Sequence, residues 1–238
     1  MTEFVVVIPA RYASVRLPGK PLRDINGKPM LQHVHERAAA SSARDIVIAT
    51  DDQRIAATAT AFDARVCMTG VQHRSGSERI AEVCDLLGWD DNLIVVNLQG
   101  DEPTMPPQLL DQCAALLEDP AADIATLASP IASQEDFANP NVVKAVVDAA
   151  GYALYFSRAP IPYDGSDLAL HHHGIYAYRC GVLRRLVDAP PSELELCERL
   201  EQLRALSLGM RIRVAQPTVR PGAGVDTEED LLAAATQI

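Results

Sequence analysis

The chain has 238 residues, 48% of them hydrophobic and 22% charged, and a formal net charge of −11, which suits a large α/β domain with a full core and excludes a disordered chain. So acidic a balance also excludes a nucleic-acid binder, which needs an extended basic face to release counterions. Five cysteines without a CxxC pair, and apolar runs far short of a membrane span or a signal segment, exclude a disulfide framework, a zinc ribbon and a transmembrane protein, leaving reduced thiols and a cytoplasmic location as the expectation.

In chain order, the apolar run at 4–8 reads as a buried strand, 30–43 as a helix and 45–50 as a second strand. A helix over 53–62 and a short strand over 65–68 follow. Ser75 with Glu78 three positions on reads as a capping box, ahead of a helical face formed by Ile80, Val83, Cys84 and Leu87. Residues 93–98 are again continuously apolar. Strands that are apolar throughout and alternate with helices predict a doubly wound, mostly parallel sheet covered on both faces, with ligands bound beyond the carboxyl ends of its strands. From about residue 140 the pattern turns to alternating segments at 142–147, 152–157 and 174–178, the mark of a smaller mixed-sheet portion. Helices are predicted over 181–188, 193–208 and 227–237, with a strand over 211–215. The expected organisation is one domain, with a nucleotide-binding core over 1–140 and a second portion over 141–238.

Residues 1–29 carry Arg11, Arg16, Lys20, Arg23 and Lys28 against Glu3 and Asp24, a local +3 within a strongly acidic chain. Such a loop after the first strand is where a triphosphate would be drawn. Two prolines around Gly19 and Lys20 confine its backbone, and Gly19 permits close approach to a ligand. The Walker pattern GxxxxGK[ST] is absent, so hydrolysis-driven switching is not implied. Asp101 follows the strand at 93–98, where a carboxylate can hold Mg²⁺ against phosphates, although Gly-Asp-Glu-Pro is also ordinary turn chemistry. Asp226 precedes the last helix, and because Thr227 with Asp230 already supplies a cap, Asp226 is available as a second carboxylate. The triplet His171, His172 and His173 cannot converge on one ion, so one histidine contacting an anion is the simpler reading. Arg158 suits a carboxylate anchor or a surface salt bridge. Glu198, Glu201 and Gln202 read as a solvated helix face beside the stripe Leu194, Cys197, Leu200, Leu203 and Leu206.

Ten ordered segments resemble the 3-deoxy-D-manno-octulosonate (Kdo) cytidylyltransferases nearly end to end. They are IPARYASVRLPGKPL at 8–22, DINGKPM at 24–30, ATD at 49–51, SGSERIAE at 75–82, NLQGDEP at 97–103, NPNVVK at 139–144, YALYFSR at 152–158, HHGIYAYR at 172–179, LEQLR at 200–204 and GVDTEEDL at 224–231. The resemblance implies a Rossmann-like nucleotidyltransferase sheet and the reaction of CTP with Kdo to give CMP-Kdo and pyrophosphate, which activates Kdo for lipopolysaccharide. It implies nucleotide binding by Ala10, Arg11, Ser14, Arg16, Lys20, Ser75, Arg79 and Gln99, and Mg²⁺ held by Asp101 and Asp226. Lys20, Asp101 and Asp226 would carry the catalysis. The sugar would be bound by Gln99, Arg158, His172, Tyr176, Glu201 and Gln202, and a homodimer is implied, with its contacts in the second portion. The segment at 161–170, together with Pro160 and Tyr163, departs from the family pattern, which bears on subunit contacts and sugar specificity. Alternatives are a cytidylyltransferase for 8-amino-Kdo or a sialic acid, favoured against by GIYAYR and LEQLR, and a non-catalytic nucleotide sensor, which would not need both Asp101 and Asp226.

Overall fold

A computed structural model describes residues 2–13 and 17–238. Its elements are β1 (Phe4–Pro9), a small hairpin of β2 (Asp24–Ile25) and β3 (Lys28–Pro29), α1 (Met30–Ala39), β4 (Asp45–Thr50), α2 (Gln53–Ala61), β5 (Arg65–Met68), α3 (Gly76–Leu86), β6 (Ile94–Asn97) and α4 (Pro107–Ala115). Then come β7 (Ile124–Pro130), α5 (Gln134–Ala138), β8 (Lys144–Val147), β9 (Ala153–Ser157), β10 (Leu170–Arg179), α6 (Cys180–Asp188), α7 (Glu193–Glu198), α8 (Gln202–Ser207), β11 (Ile212–Ala215) and α9 (Glu228–Ala235).

Among the described residues one nine-stranded sheet runs in the order β11-β7-β10-β6-β1-β4-β5, with β8 and β9 attached through β10. β1 pairs in parallel with β4 and β6, and β4 in parallel with β5. Period two along β1 explains its position: Phe4, Val6 and Ile8 enter one core cluster while Val5 and Val7 enter the other, on the opposite face. Each fully buried side chain of this size contributes about 1.5–3 kcal/mol relative to exposure, so β1 must be covered on both faces. The chain visits β4 and β5 on one side of β1 and then crosses to β6 on the other, which places the switch point beside β1.

The antiparallel portion belongs to the second half of the chain, and it is continuous with the parallel part. β10 pairs antiparallel with both β6 and β7, so a late strand lies inside the sheet and carries its side chains to the ligand end of β6. Neither β7 nor α4 is evident in the sequence reading. The residues of β7, IATLASP, mix β-branched with small residues and end in proline, and their strand identity comes from pairing with β10 and β11.

The single helix expected over 193–208 is two helices. Arg199 takes a left-handed conformation at φ 55° and ends α7. Leu194 and Leu196 are left exposed, while Leu200 and Leu203 are buried, so the proposed stripe does not stay on one face. The buried Arg204 guanidinium fixes the bend by meeting both Glu195 oxygens, at 2.8 and 2.6 Å. α1 also stops earlier than expected, at Ala39. The Ser75 hydroxyl caps α3 by accepting from Glu78 N, but the Glu78 carboxylate accepts from Arg74 N instead of closing the box.

Candidate active site

Gly19 N donates to Tyr12 O, and Gly19 sits at φ +66° with the Tyr12 ring 3.2 Å from where a Cβ would lie. A side chain there is opposed by both backbone and space. Leu17, beyond this loop, is buried with Ile25, Met30, Val225, Leu231 and Ala234 in a small cluster that seats α9 against the start of the chain. That packing brings Asp226 to Lys20 across 206 positions of sequence.

Lys20 Nζ lies 2.6 Å from Asp101 Oδ2, 3.0 Å from Asp226 Oδ1 and 2.9 Å from Val225 O. An ammonium has three donors, and here three acceptors meet it. Burial disfavours the charged lysine, yet the two carboxylates outweigh it and hold Lys20 above its ordinary value. The Asp101 and Asp226 segments are also tied through the backbone, since Val225 N donates to Asp101 O at 2.8 Å. Close approach of the turn after β6 to the turn after β1 depends on Gly100: a Cβ there would stand 2.9 Å from Pro9 O. Beside this cluster, burial and then the charges of Asp101 and Asp226 push the Glu102 carboxyl up to about 8, and its Oε2 is buried without a partner.

A cleft of about 800 Å³ opens over these groups, lined by Ala10, Arg11, Lys20, Ser75, Arg79, Gln99, Asp101 and Asp226 among others. These are residues nominated from the sequence, drawn from four distant segments. Ser14 and Arg16 lie outside the described residues. Arg79 is buried, with its guanidinium 3.3 Å from Asp51 Oδ1 and bonded to Thr69 Oγ1. His73 and Arg74 also line the cleft, and the sequence reading passed over both. The available signal was their position immediately before the Ser75 cap, at a helix N-terminus facing the strand ends.

Next to the cleft is a smaller chamber of about 70 Å³, whose lining includes Asn97, Gln99, Tyr176, Glu201 and Gln202. Gln99 borders both spaces. The bend at Arg199 aims Glu201 and Gln202 inward, so they are not the solvated face that helical periodicity suggested. Glu201 Oε2 accepts from Ser77 Oγ at 2.5 Å.

Arg158 and His172 are placed differently. Neither lines the cleft or the chamber. Arg158 donates to the carbonyls of Glu198, Pro140 and Arg199, at 2.9, 3.0 and 3.4 Å, and its backbone N donates to Glu198 Oε2. His172 packs between Phe156 and Tyr176, with Nε2 at 3.2 Å from Thr126 Oγ1. Burial, with His173 and His171 adding to it, lowers its pKa to about 3, which favours the neutral ring. No group of three or more potential metal ligands occurs among the described residues, and the histidine triplet forms no such centre.

A family model described as "Cytidylyltransferase" matches residues 5–212. The chain is 56% identical to a 3-deoxy-manno-octulosonate cytidylyltransferase of Thioalkalivibrio sulfidiphilus and 54% identical to one of Idiomarina loihiensis, covering 96% of both chains in each comparison. The chain belongs to the 3-deoxy-manno-octulosonate cytidylyltransferase family. A solved structure of CMP:2-keto-3-deoxy-manno-octonic acid synthetase complexed with CTP superposes with a TM-score of 0.92 at 44% identity, covering 98% of this chain and 97% of that one. A 4-diphosphocytidyl-2C-methyl-D-erythritol synthase matches at TM-score 0.67 and 17% identity, a likeness of fold alone. Among the described residues no helix is long and apolar enough to cross a membrane.

Proposed function

We propose that this chain is the cytidylyltransferase that joins CTP to Kdo, giving CMP-Kdo and pyrophosphate, and that it serves lipopolysaccharide synthesis from the cytoplasm. The observation that carries the reading is the convergence of Asp101, Asp226 and Lys20 on the wall of a cleft that shares Gln99 with a polar buried chamber. One space suits a triphosphate and the other a polyhydroxylated acceptor, with Gln99 at the junction where the new bond forms.

The chemistry brings a sugar hydroxyl, on an anionic sugar, to the α-phosphorus of an anionic nucleotide. Positioning and electrostatic relief are what the protein has to supply. Arg11 and Lys20 offset the triphosphate charge, and residues 73–76, leading into α3, line the same cleft. Asp101 and Asp226 fit a divalent cation because both carboxylates already meet one positive group within about 3 Å. Mg²⁺ bound there would polarise the α-phosphate and lower the charge facing the incoming hydroxyl. With a cation held by the carboxylates, Lys20 would be able to donate one or more of its N–H groups to phosphate oxygen instead.

The test is pyrophosphate release by the purified protein with CTP and Mg²⁺, offered Kdo, 8-amino-Kdo or N-acetylneuraminate. Turnover with Kdo well above the other two is expected; no release with Kdo under any divalent metal overturns the reading. A homodimer is part of the proposal, supported by the exposed Leu154, Tyr163, Leu168, Leu194 and Leu196 of the second half, apolar surface that a second copy would cover. Sedimentation measures it.

A further inference from the structure

The chamber beside the cleft has an unusual polar lining. Buried polar groups are ordinarily hydrogen-bonded, and an unpaired one is costly. Six buried side-chain polar atoms among the described residues have no partner, and four of them belong to chamber residues: Asn97 Oδ1, Tyr176 OH, Glu201 Oε1 and Gln202 Nε2. Such a concentration is what a preorganised ligand pocket requires when its occupant is missing.

Asn97 is the new member of this set. It is 2% exposed and ends an otherwise apolar strand. Its partner in register on β10 is Tyr176, so the two side chains stand on the same face of the sheet. Two positions further along the chain Gln99 lines the same chamber. The end of β6 and the turn after it thus bring amide groups at 97 and 99 to the chamber that Glu201 and Gln202 also line.

The lining also states what can enter. No lysine, arginine or histidine borders the chamber, and its one charged group is the Glu201 carboxylate. A sugar carboxylate would meet repulsion there, while hydroxyls, which both donate and accept, match two oxygen acceptors, an amide donor and a phenol. A space of about 70 Å³ has room for roughly two waters, so it admits part of a sugar acid and not the whole.

We propose that Asn97 is a further sugar-binding residue, its side-chain carbonyl accepting a hydroxyl from the neutral, polyol part of the acceptor, so that the sugar enters this chamber hydroxyls first and keeps its carboxylate outside. This rests on the functional reading above and extends it to the sugar's orientation. Asn97→Leu removes the acceptor while keeping the number and branching of side-chain heavy atoms, though its methyl groups are bulkier, and the smaller Asn97→Thr keeps an oxygen at the strand's end.

The experiment measures KM and kcat for sugar and for CTP with both variants, using whichever of the three acidic sugars wild type turns over, plus single-deoxy analogues of it. Asn97→Leu is expected to raise the sugar KM about tenfold or more, with the CTP KM within twofold. Asn97→Thr falls between that variant and wild type. Loss of one particular hydroxyl should harm wild type and leave Asn97→Leu nearly indifferent. Unchanged sugar KM, equal rises for sugar and CTP, or equal sensitivity of wild type and variant to every deoxy analogue overturns the assignment. Should Asn97→Leu fail to fold, judged by circular dichroism, the sugar-against-CTP split of Asn97→Thr decides. Wild type that uses another acidic sugar in place of Kdo refutes the functional reading while leaving Asn97 to be judged on that sugar; wild type inactive on all three refutes both.

Discussion

Replacing Lys20 by methionine separates two roles that share one ammonium. In the nucleotide-free protein Lys20 Nζ neutralises Asp101 and Asp226, with side-chain exposures of 33% and 46% for the two carboxylates and 14% for the lysine. Contacts this open to solvent are worth roughly 0.5–1 kcal/mol each, and the bond to Val225 O adds a similar amount. A divalent ion binding between the carboxylates must displace these Lys20 contacts, about 2 kcal/mol in all, in the native protein, and they are absent from Lys20→Met. At 1.4 kcal/mol per factor of ten, the variant should bind metal without nucleotide about 30-fold more tightly. Titration of nucleotide-free protein with Mn²⁺, followed by calorimetry or by the electron paramagnetic resonance of the free ion, measures this. Turnover should fall in the same variant, because the triphosphate loses a cation. Equal or weaker Mn²⁺ binding by Lys20→Met would refute the view that the lysine holds the place of the metal.

Four further outcomes are expected. Asp101→Asn should reduce pyrophosphate release by at least 100-fold while CTP affinity, followed by calorimetry, changes much less; unchanged turnover removes Asp101 from the metal site. Gly100→Ala should lower kcat/KM by roughly tenfold or more, since the new Cβ meets Pro9 O and pushes Asp101 out of place; kinetics alongside a thermal melt tell this from unfolding. Lys144 is fully buried, with its ammonium bonded to the carbonyls of Asn139, Val142 and Arg158. Its loss in Lys144→Met should cost about 2–3 kcal/mol, or roughly 4–12 °C in melting temperature for a chain this long. Acid should weaken the fold through the histidines: burial first, then neighbouring histidines, lowers His172 to about 3 and His173 to about 4. The unfolded chain binds those protons below about pH 6.5 and the folded one does not, so stability is full above that value and is lost as pH falls towards 4. Denaturant melts at pH 7 and pH 5 should differ, and His172→Gln with His173→Gln should flatten the difference.

Much of the fold was legible because local rules and tertiary structure agree in the first hundred residues. Phe4 to Ile8 are apolar without alternation, and a strand buried on both faces is the arrangement that such a run permits. Ser75, Thr227 and Asp230 are capping residues in sequence and in space, since a cap depends on neighbours three positions away. The charged loop with Lys20, Asp101 after an apolar strand and Asp226 before the last helix were visible from charge contrast and residue chemistry.

Other features depended on partners far along the chain. The small residues of β7 become a strand by pairing with β10 and β11, and the helix expected over 193–208 breaks because Arg204 is held by Glu195 and Leu200 is pulled into the core. No periodicity contains those constraints. Arg158 illustrates the same limit: its guanidinium chemistry suggested an anion contact or a salt bridge, and in the fold three of its five N–H groups donate to backbone carbonyls that no spacing rule places beside it. The sequence by itself determined the buried parallel strands, the capped helices and the cationic loop, because these follow from side-chain type and spacing over a few residues. Only tertiary structure decided that Lys20, Asp101 and Asp226 share one point, and that Asn97, Tyr176, Glu201 and Gln202 enclose one chamber, because those meetings are made by packing α9 on the first loop and by threading β10 beside β6.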